Sequence, residues 1–122
     1  MKIITGACGF IGSCLISYLN KMGQADIILV DDFSNEIKSF NLIGKQYRDK
    51  IDRADFIVWL SKNYKDIKEI YHMGARTDTT EDSHEIFNTL NLNYSKSLWD
   101  ICSAHDIPFI MLLPQLLMVM VN

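Results

Sequence analysis

Thr5-Gly6-Ala7-Cys8-Gly9-Phe10-Ile11-Gly12 places three glycines at G-x-x-G-x-x-G spacing near the start of the chain. Such a run suits one chemical task, bringing bare backbone up to a phosphate. The first glycine permits a tight turn, the second lets the main chain approach a pyrophosphate, and the third lets a helix pack closely on a strand. A helix starting there would offer unpaired N–H groups to the phosphates. A glycine-rich turn with no ligand is the alternative, and the flanking elements separate the two. Asp31, with Asp32 beside it, stands nineteen residues beyond Gly12. A carboxylate there takes the adenosine ribose hydroxyls of a dinucleotide; a plain turn aspartate is the other reading. Asp31 disfavours a 2′-phosphate and so suggests NAD. Lys38, Arg48 and Arg53 follow, either to neutralise such a phosphate or as solvated surface charges, so NAD and NADP both stay open.

The elements needed to position these residues are legible in the hydrophobic pattern. Lys2–Thr5 is a short strand-like run leading into the glycines. Ile11, Cys14, Leu15, Tyr18, Leu19 and Met22 recur at helical spacing, and Gly23 is placed to end that helix. Ile27–Asp31 is a continuous apolar run closing on a carboxylate, suited to a strand buried on both faces. Strand, glycine turn, helix and strand thus fall within the length of one βαβ unit, which favours the dinucleotide reading over an idle turn. Residues 32–51 are polar and irregular, with a short helix expected near Ser39–Leu42 and a poor third strand near Tyr47. Asp52 opens a helix with Phe56, Ile57 and Leu60 inward, ending by Asn63. Glu69–His72 is a fourth strand. Ser83–His105 is a long helix striped by Ile86, Phe87, Leu90, Tyr94, Leu98 and Ile101, and Pro108-Phe109-Ile110 begins a fifth strand. Alternation of this kind predicts an α/β, doubly wound parallel sheet of the Rossmann type.

Composition sets the outer limits. The chain has 122 residues, 48% hydrophobic and 22% charged, enough for one packed domain. A net charge of −3 argues against nucleic-acid binding. Cys8, Cys14 and Cys102 form no CxxC pair, and they read as reduced thiols of a cytoplasmic protein. The start is unlike a signal peptide, and no apolar run approaches the ~20 residues of a membrane span. His72, His84 and His105 lack ligand spacing, so no metal is expected.

TGACGFIGS, ILVDDFS, HMGARTDTT and NLNYSKSL together resemble the extended short-chain dehydrogenase/reductase superfamily. Lys38 with Phe40-Asn41-Leu42, the run from His72 to Glu81, and Tyr94-Ser95-Lys96 are most similar to its ADP-L-glycero-D-manno-heptose 6-epimerase family. The resemblance covers residues 1–110. It implies an NAD- or NADP-dependent nucleotide-sugar epimerase that is homo-oligomeric at full length. It also implies that Met73, Gly74, Ala75, Arg76 and Thr77 line the cofactor and that Asn91 braces the sheet beside that loop. With Gly6, Gly9, Phe10, Ile11, Gly12, Asp31, Asp32, Lys38 and Arg53 these complete the expected cofactor site. Another sugar epimerase or dehydratase of the UDP-glucose 4-epimerase kind, or a non-catalytic dinucleotide-binding module, are the alternatives.

Catalysis in this superfamily needs a Tyr-x-x-x-Lys pair after the fifth strand, the tyrosine as general acid/base and the lysine lowering its pKa. The one such spacing, Tyr64 to Lys68, precedes the fourth strand and reads as coincidence, so no catalytic residue is assigned. The resemblance implies Tyr-Ala-Ser-Ser-Ala-Ala-Thr-Tyr-Gly after the fifth strand, where this chain has Met111 to Asn122. One T reinserted before Met111 turns ATT-ATG-CT into ATT-TAT-GCT, Ile-Tyr-Ala, and the following codons can spell the rest. Residues 111–122 are therefore expected to be an out-of-frame tail on a catalytically dead epimerase fragment, truncated after its fifth strand.

Overall fold

The computed structural model describes residues 1–34, 36–73, 84–113 and 116–120, of which 84–92, 112–113 and 116–120 are described by their backbone alone. The elements run β1 (Lys2–Thr5), α1 (Phe10–Lys21), β2 (Ile27–Asp31), α2 (Glu36–Ser39), a 3-10 turn (Phe40–Leu42), β3 (Asp49–Asp52), α3 (Arg53–Asn63), a second 3-10 turn (Tyr64–Asp66), β4 (Glu69–His72), α4 (His84–Ala104), β5 (Phe109–Leu113) and β6 (Leu116–Met120). One sheet holds all the strands, in the order β3-β2-β1-β4-β5-β6. β1 to β5 are mutually parallel, as the alternation of elements predicts. β1 lies between β2 and β4, in register Thr5↔Val30 and Thr5↔His72. The chain therefore leaves β1 toward one edge and returns across it to β4, which opens a crevice at the carboxyl ends of these strands.

Each face of the sheet carries its own core. Ile3, Ile28, Val30, Ile70 and Phe109 pack with Phe56 and Leu60 of α3 and Leu98 and Cys102 of α4. Ile4, Ile27 and Leu29 pack with Ile16 and Leu19 of α1 and with Leu42. Alternate residues of β2 thus feed opposite cores, and Ile27–Val30 are all buried. This is the both-faces burial that a continuous apolar run predicts for a central parallel strand.

Four local expectations are corrected or extended. The inward face of α1 is not the Ile11–Met22 stripe. Ile11, Tyr18 and Met22 are more than half exposed and Cys14 is exposed, while Gly12, Ser13, Ile16 and Leu19 are buried. Gly12 decides this, because its Cα must sit against the Gly6 carbonyl, and that contact fixes the rotation of the helix. β3 lies at Asp49–Asp52 rather than near Tyr47. It is an edge strand with three charged residues out of four, paired through Ile28↔Asp49 to Asp31↔Asp52, and it has no apolar run to announce it. The short helix near Ser39–Leu42 begins earlier, as α2 followed by the 3-10 turn. Beyond the five parallel strands, β6 adds an antiparallel neighbour to β5, from Phe109↔Met120 to Leu113↔Leu116.

Helix ends follow their local chemistry. Asp52 caps α3 by accepting from the Ala54 N–H at 2.9 Å. α1 stops at Gly23, whose φ of +78° lets Gln24 N–H reach back to the Leu19 carbonyl at 2.9 Å.

Candidate functional site

The crevice is a cleft of about 480 Å³. Ten of the residues singled out from the sequence line it: Gly6, Gly9, Phe10, Ile11, Gly12, Asp31, Asp32, Lys38, Arg53 and Met73. Gly74, Ala75, Arg76 and Thr77 lie outside the described residues, and Asn91 falls within α4 with its side chain outside the description. Arg48 is elsewhere. It pairs with Asp26 at 3.1 Å, and its N–H donates to the Ile27 carbonyl at the amino end of β2. Thr5, Val30, His72 and Tyr94 also line the cleft and were not anticipated there.

The glycine loop is shaped by close backbone approach. Gly6 has φ of +64°, and Gly9 N–H donates to its carbonyl at 3.0 Å. A Cβ on Gly12 would stand 2.2 Å from that same carbonyl oxygen. A Cβ on Gly9 would meet the Gly6 oxygen at 3.3 Å and, apart from its chain neighbours, no other atom of the described residues within 4 Å. α1 starts at Gly9 with no side-chain cap and no acidic residue in its first turn. A helix end of this kind has N–H groups that can take an anion as partner. Phe10 is 80% exposed at the cleft rim. These features fit a pyrophosphate, since bare backbone lines the cleft where side chains would obstruct it.

Asp31 closes the loop from the end of β2. Its Oδ2 accepts from Cys8 N–H at 2.9 Å and its Oδ1 from Asp32 N–H at 2.7 Å. A carboxylate accepts about four hydrogen bonds, so capacity remains for a ligand's hydroxyls. Burial, and secondarily the Asp31 charge, push the Cys8 thiol up to about 11, which keeps it protonated and unreactive. Asp32 is held below the usual carboxylate range, first by the Ser34 side-chain and backbone donors and then by the charges of Lys38 and Arg53. The one cleft is therefore lined by two carboxylates, Asp31 and Asp32, and two cations, Lys38 and Arg53.

At the inner end lies a buried polar chain. Thr5 Oγ1 meets His72 Nδ1 at 2.6 Å, and His72 Nε2 meets Ser95 Oγ at 2.8 Å. Met73 N–H donates to the Thr5 carbonyl at 3.2 Å. The chain joins the ends of β1 and β4 to α4. Burial first, and the Arg53 charge second, lower the His72 pKa from its ordinary 6.5 to about 4. The neutral ring, one nitrogen donating and the other accepting, satisfies both hydroxyl contacts. Tyr94 packs beside His72 and donates to the Arg53 carbonyl at 3.1 Å, with the Arg53 guanidinium 4.5 Å from its ring centre. His72 ends β4 as Thr5 ends β1, and that place at a strand's carboxyl end is the signal that could have put it here; its isolation from other histidines concealed it.

Tyr64 and Lys68 do not reach the cleft. Tyr64 stacks on His105 with ring centres 3.6 Å apart, and Lys68 N–H donates to the Met1 carbonyl at the opposite end of the strands.

A family model described as the NAD dependent epimerase/dehydratase family matches residues 2–113. The ADP-L-glycero-D-manno-heptose-6-epimerase of Fusobacterium nucleatum subsp. nucleatum is 38% identical over 112 residues, which is 90% of this chain and 34% of that relative. The chain thus spans about a third of the length of the curated relatives it matches. Among solved structures, the ADP-L-glycero-D-manno-heptose-6-epimerase of Helicobacter pylori superposes with a TM-score of 0.74 at 24% identity, over 90% of this chain and 37% of that one. The UDP-glucuronic acid 4-epimerase of Bacillus cereus, solved in complex with NAD, gives 0.68 at 28% identity, over 91% and 39%. By its glycine loop, its sheet and its match over residues 2–113, this chain belongs to the NAD dependent epimerase/dehydratase family.

Proposed function

We propose that this chain is the dinucleotide-holding part of a nucleotide-sugar epimerase of the ADP-L-glycero-D-manno-heptose 6-epimerase type, working in the cytoplasm. The observation that carries this reading is the glycine loop closed against Asp31 at the mouth of an uncapped helix. The 38% identity to heptose epimerases supports the substrate class. Gly6, Gly9, Gly12 and the first turn of α1 would hold the pyrophosphate, and Asp31 the adenosine ribose. Lys38 and Arg53, both at the cleft beside Asp32, would meet a 2′-phosphate, which makes NADP the better ligand and NAD the second. A bound nicotinamide would supply hydride acceptance and return.

The chain's own residues bind and orient; none is assigned to proton transfer, and the 122 residues alone are inferred to be inactive. Among the described residues no Tyr-x-x-x-Lys pair faces the cleft. Titration calorimetry with NADP and NAD tests the reading, with NADP expected to bind more tightly. Binding of neither at millimolar concentration, or epimerisation of an ADP-heptose by this chain alone, overturns it. Residues 111–122 are further proposed to be read out of frame, and the family match runs only three residues into them. Sequencing the DNA from the codon of His105 onward decides this; a stop codon directly after the reinserted base overturns it.

A further inference from the structure

The excursion between β2 and β3 is attached to the body by side-chain amides. Asn41 Nδ2 donates to the Cys8 carbonyl at 2.7 Å. Its neighbour Leu42 is buried with Ala7 and Cys8. Farther along, Asn20 of α1 grips Gln46 from both sides: Gln46 N–H donates to Asn20 Oδ1, and Asn20 Nδ2 donates to the Gln46 carbonyl, each at 2.9 Å. Cys8 is therefore held at both its backbone groups. The Asp31 carboxylate takes its N–H at 2.9 Å, and an amide three residues beyond Lys38 takes its carbonyl.

Lys38 rides on α2, a helix of only four residues. A single turn cannot sustain itself, because its ordering cost exceeds its few internal bonds. Burial gives little help, since Ile37, Phe40 and Ile43 are 80%, 68% and 70% exposed. Asn41 and Leu42 are two side chains that carry this turn onto the glycine loop. A lysine on a flexible stem acts as a directed charge only where its backbone is held.

We infer that Asn41 is a positioning residue that docks the Lys38-bearing turn onto Cys8 and thereby sets the preference for a 2′-phosphate over a free ribose hydroxyl. The selectivity half rests on the dinucleotide reading above; the docking half stands on the Asn41–Cys8 contact alone. One hydrogen bond is worth a factor of roughly two to ten in an equilibrium.

Two measurements on the 122-residue chain test this. In the first, calorimetry gives the NADP-to-NAD affinity ratio for wild type, Asn41→Ala and Asn20→Ala. Asn41→Ala is expected to lower the ratio about fivefold, mostly through NADP, on the scale of that single hydrogen bond. Asn20→Ala releases the far anchor and lowers Tm, yet keeps the ratio. An unchanged ratio in Asn41→Ala, or an equal fall in Asn20→Ala, overturns the inference. In the second, the Cys14→Ser background removes the exposed thiol, and iodoacetamide labelling is followed by mass spectrometry. Asn41→Ala is expected to speed labelling of Cys8 several-fold and leave Cys102, buried in the other core, unchanged. Equal acceleration of both thiols, or of neither, overturns the docking. Asn41→Ser, a shorter donor, provides the same readouts if the alanine variant does not fold. Should wild type bind neither dinucleotide, the cofactor reading and the selectivity half fail together, and labelling alone decides the docking half.

Discussion

At the amino ends of the strands the polar partners are charges at or near the surface. The Met1 ammonium lies 3.5 Å from Asp26, Arg48 lies 3.1 Å from the same carboxylate, and Lys2 lies 3.0 Å from Glu69. At the carboxyl ends of the same strands the partners are directional hydrogen bonds, buried between Thr5 and His72 and partly buried at Ser95 and Asp31. Thr5, His72 and Ser95 form a chain, and Asp31 holds the Cys8 amide. The two ends share strands, length and register, and differ in how much water reaches them. Exposed pairs exchange one solvated state for another, whereas a buried polar group left without its partner bears its full desolvation cost. The cleft end is therefore the one where single atoms count.

Gly12→Ala should produce the largest effect. Its Cβ would meet the Gly6 carbonyl at 2.2 Å, and that neighbour is backbone, which cannot rotate aside. A loss of about 3 kcal/mol or more is expected, with dinucleotide binding abolished, by denaturant unfolding and calorimetry. An alanine variant of wild-type stability would remove the helix-to-loop contact from the account of how α1 is oriented.

The pH dependence comes next. His72 has its folded pKa lowered to about 4 from 6.5, so the unfolded chain takes up the proton first. Its contribution is full above about pH 6.5 and is lost as pH falls toward 4, some 3 kcal/mol in all, on the order expected from linkage. The carboxylates titrate over part of the same window, so the decisive quantity is the difference between wild type and His72→Gln. The variant should lose the His72 share of the slope. Parallel stability curves between pH 6.5 and 4 would show that His72 is not the buried neutral group described here.

Asp31→Asn should be smaller. The amide keeps an oxygen for the Cys8 N–H but turns an NH2 toward the Asp32 N–H and removes the charge, so stability should fall by about 1 kcal/mol while NAD affinity falls roughly tenfold. Equal affinity for wild type and variant would leave Asp31 as a loop brace alone. Arg48→Ala, at the other end, should be the smallest. Both partners of its ion pair are more than 60% exposed, and a change within roughly 0.5 kcal/mol in thermal unfolding is expected, vanishing in high salt. A larger loss there would erase the contrast between the two ends.

Much of this is legible in the sequence alone. The glycine spacing, the apolar run of β2 and the helical stripe of α3 each carry a local signal that no distant contact contradicts. Where a distant contact does intervene, the pattern misleads. The stripe of α1 points to Ile11, Tyr18 and Met22, yet the Gly12–Gly6 approach turns those outward. β3 escapes notice because an edge strand needs pairing partners more than apolar residues. His72 looks idle in sequence because both its partners, Thr5 and Ser95, lie more than twenty residues away.

The sequence by itself determined that a strand, a glycine turn and a helix would follow one another, with Asp31 at the end of the next strand. Backbone freedom and hydrophobic periodicity are properties of neighbours along the chain, so they can be read along the chain. Only the tertiary structure decided which cations share the cleft. It sent Arg48 to Asp26 at one end of the sheet and brought Lys38 and Arg53 to Asp32 at the other, because parallel pairing separates the strands' two ends and a side chain's charge acts only where its backbone is held.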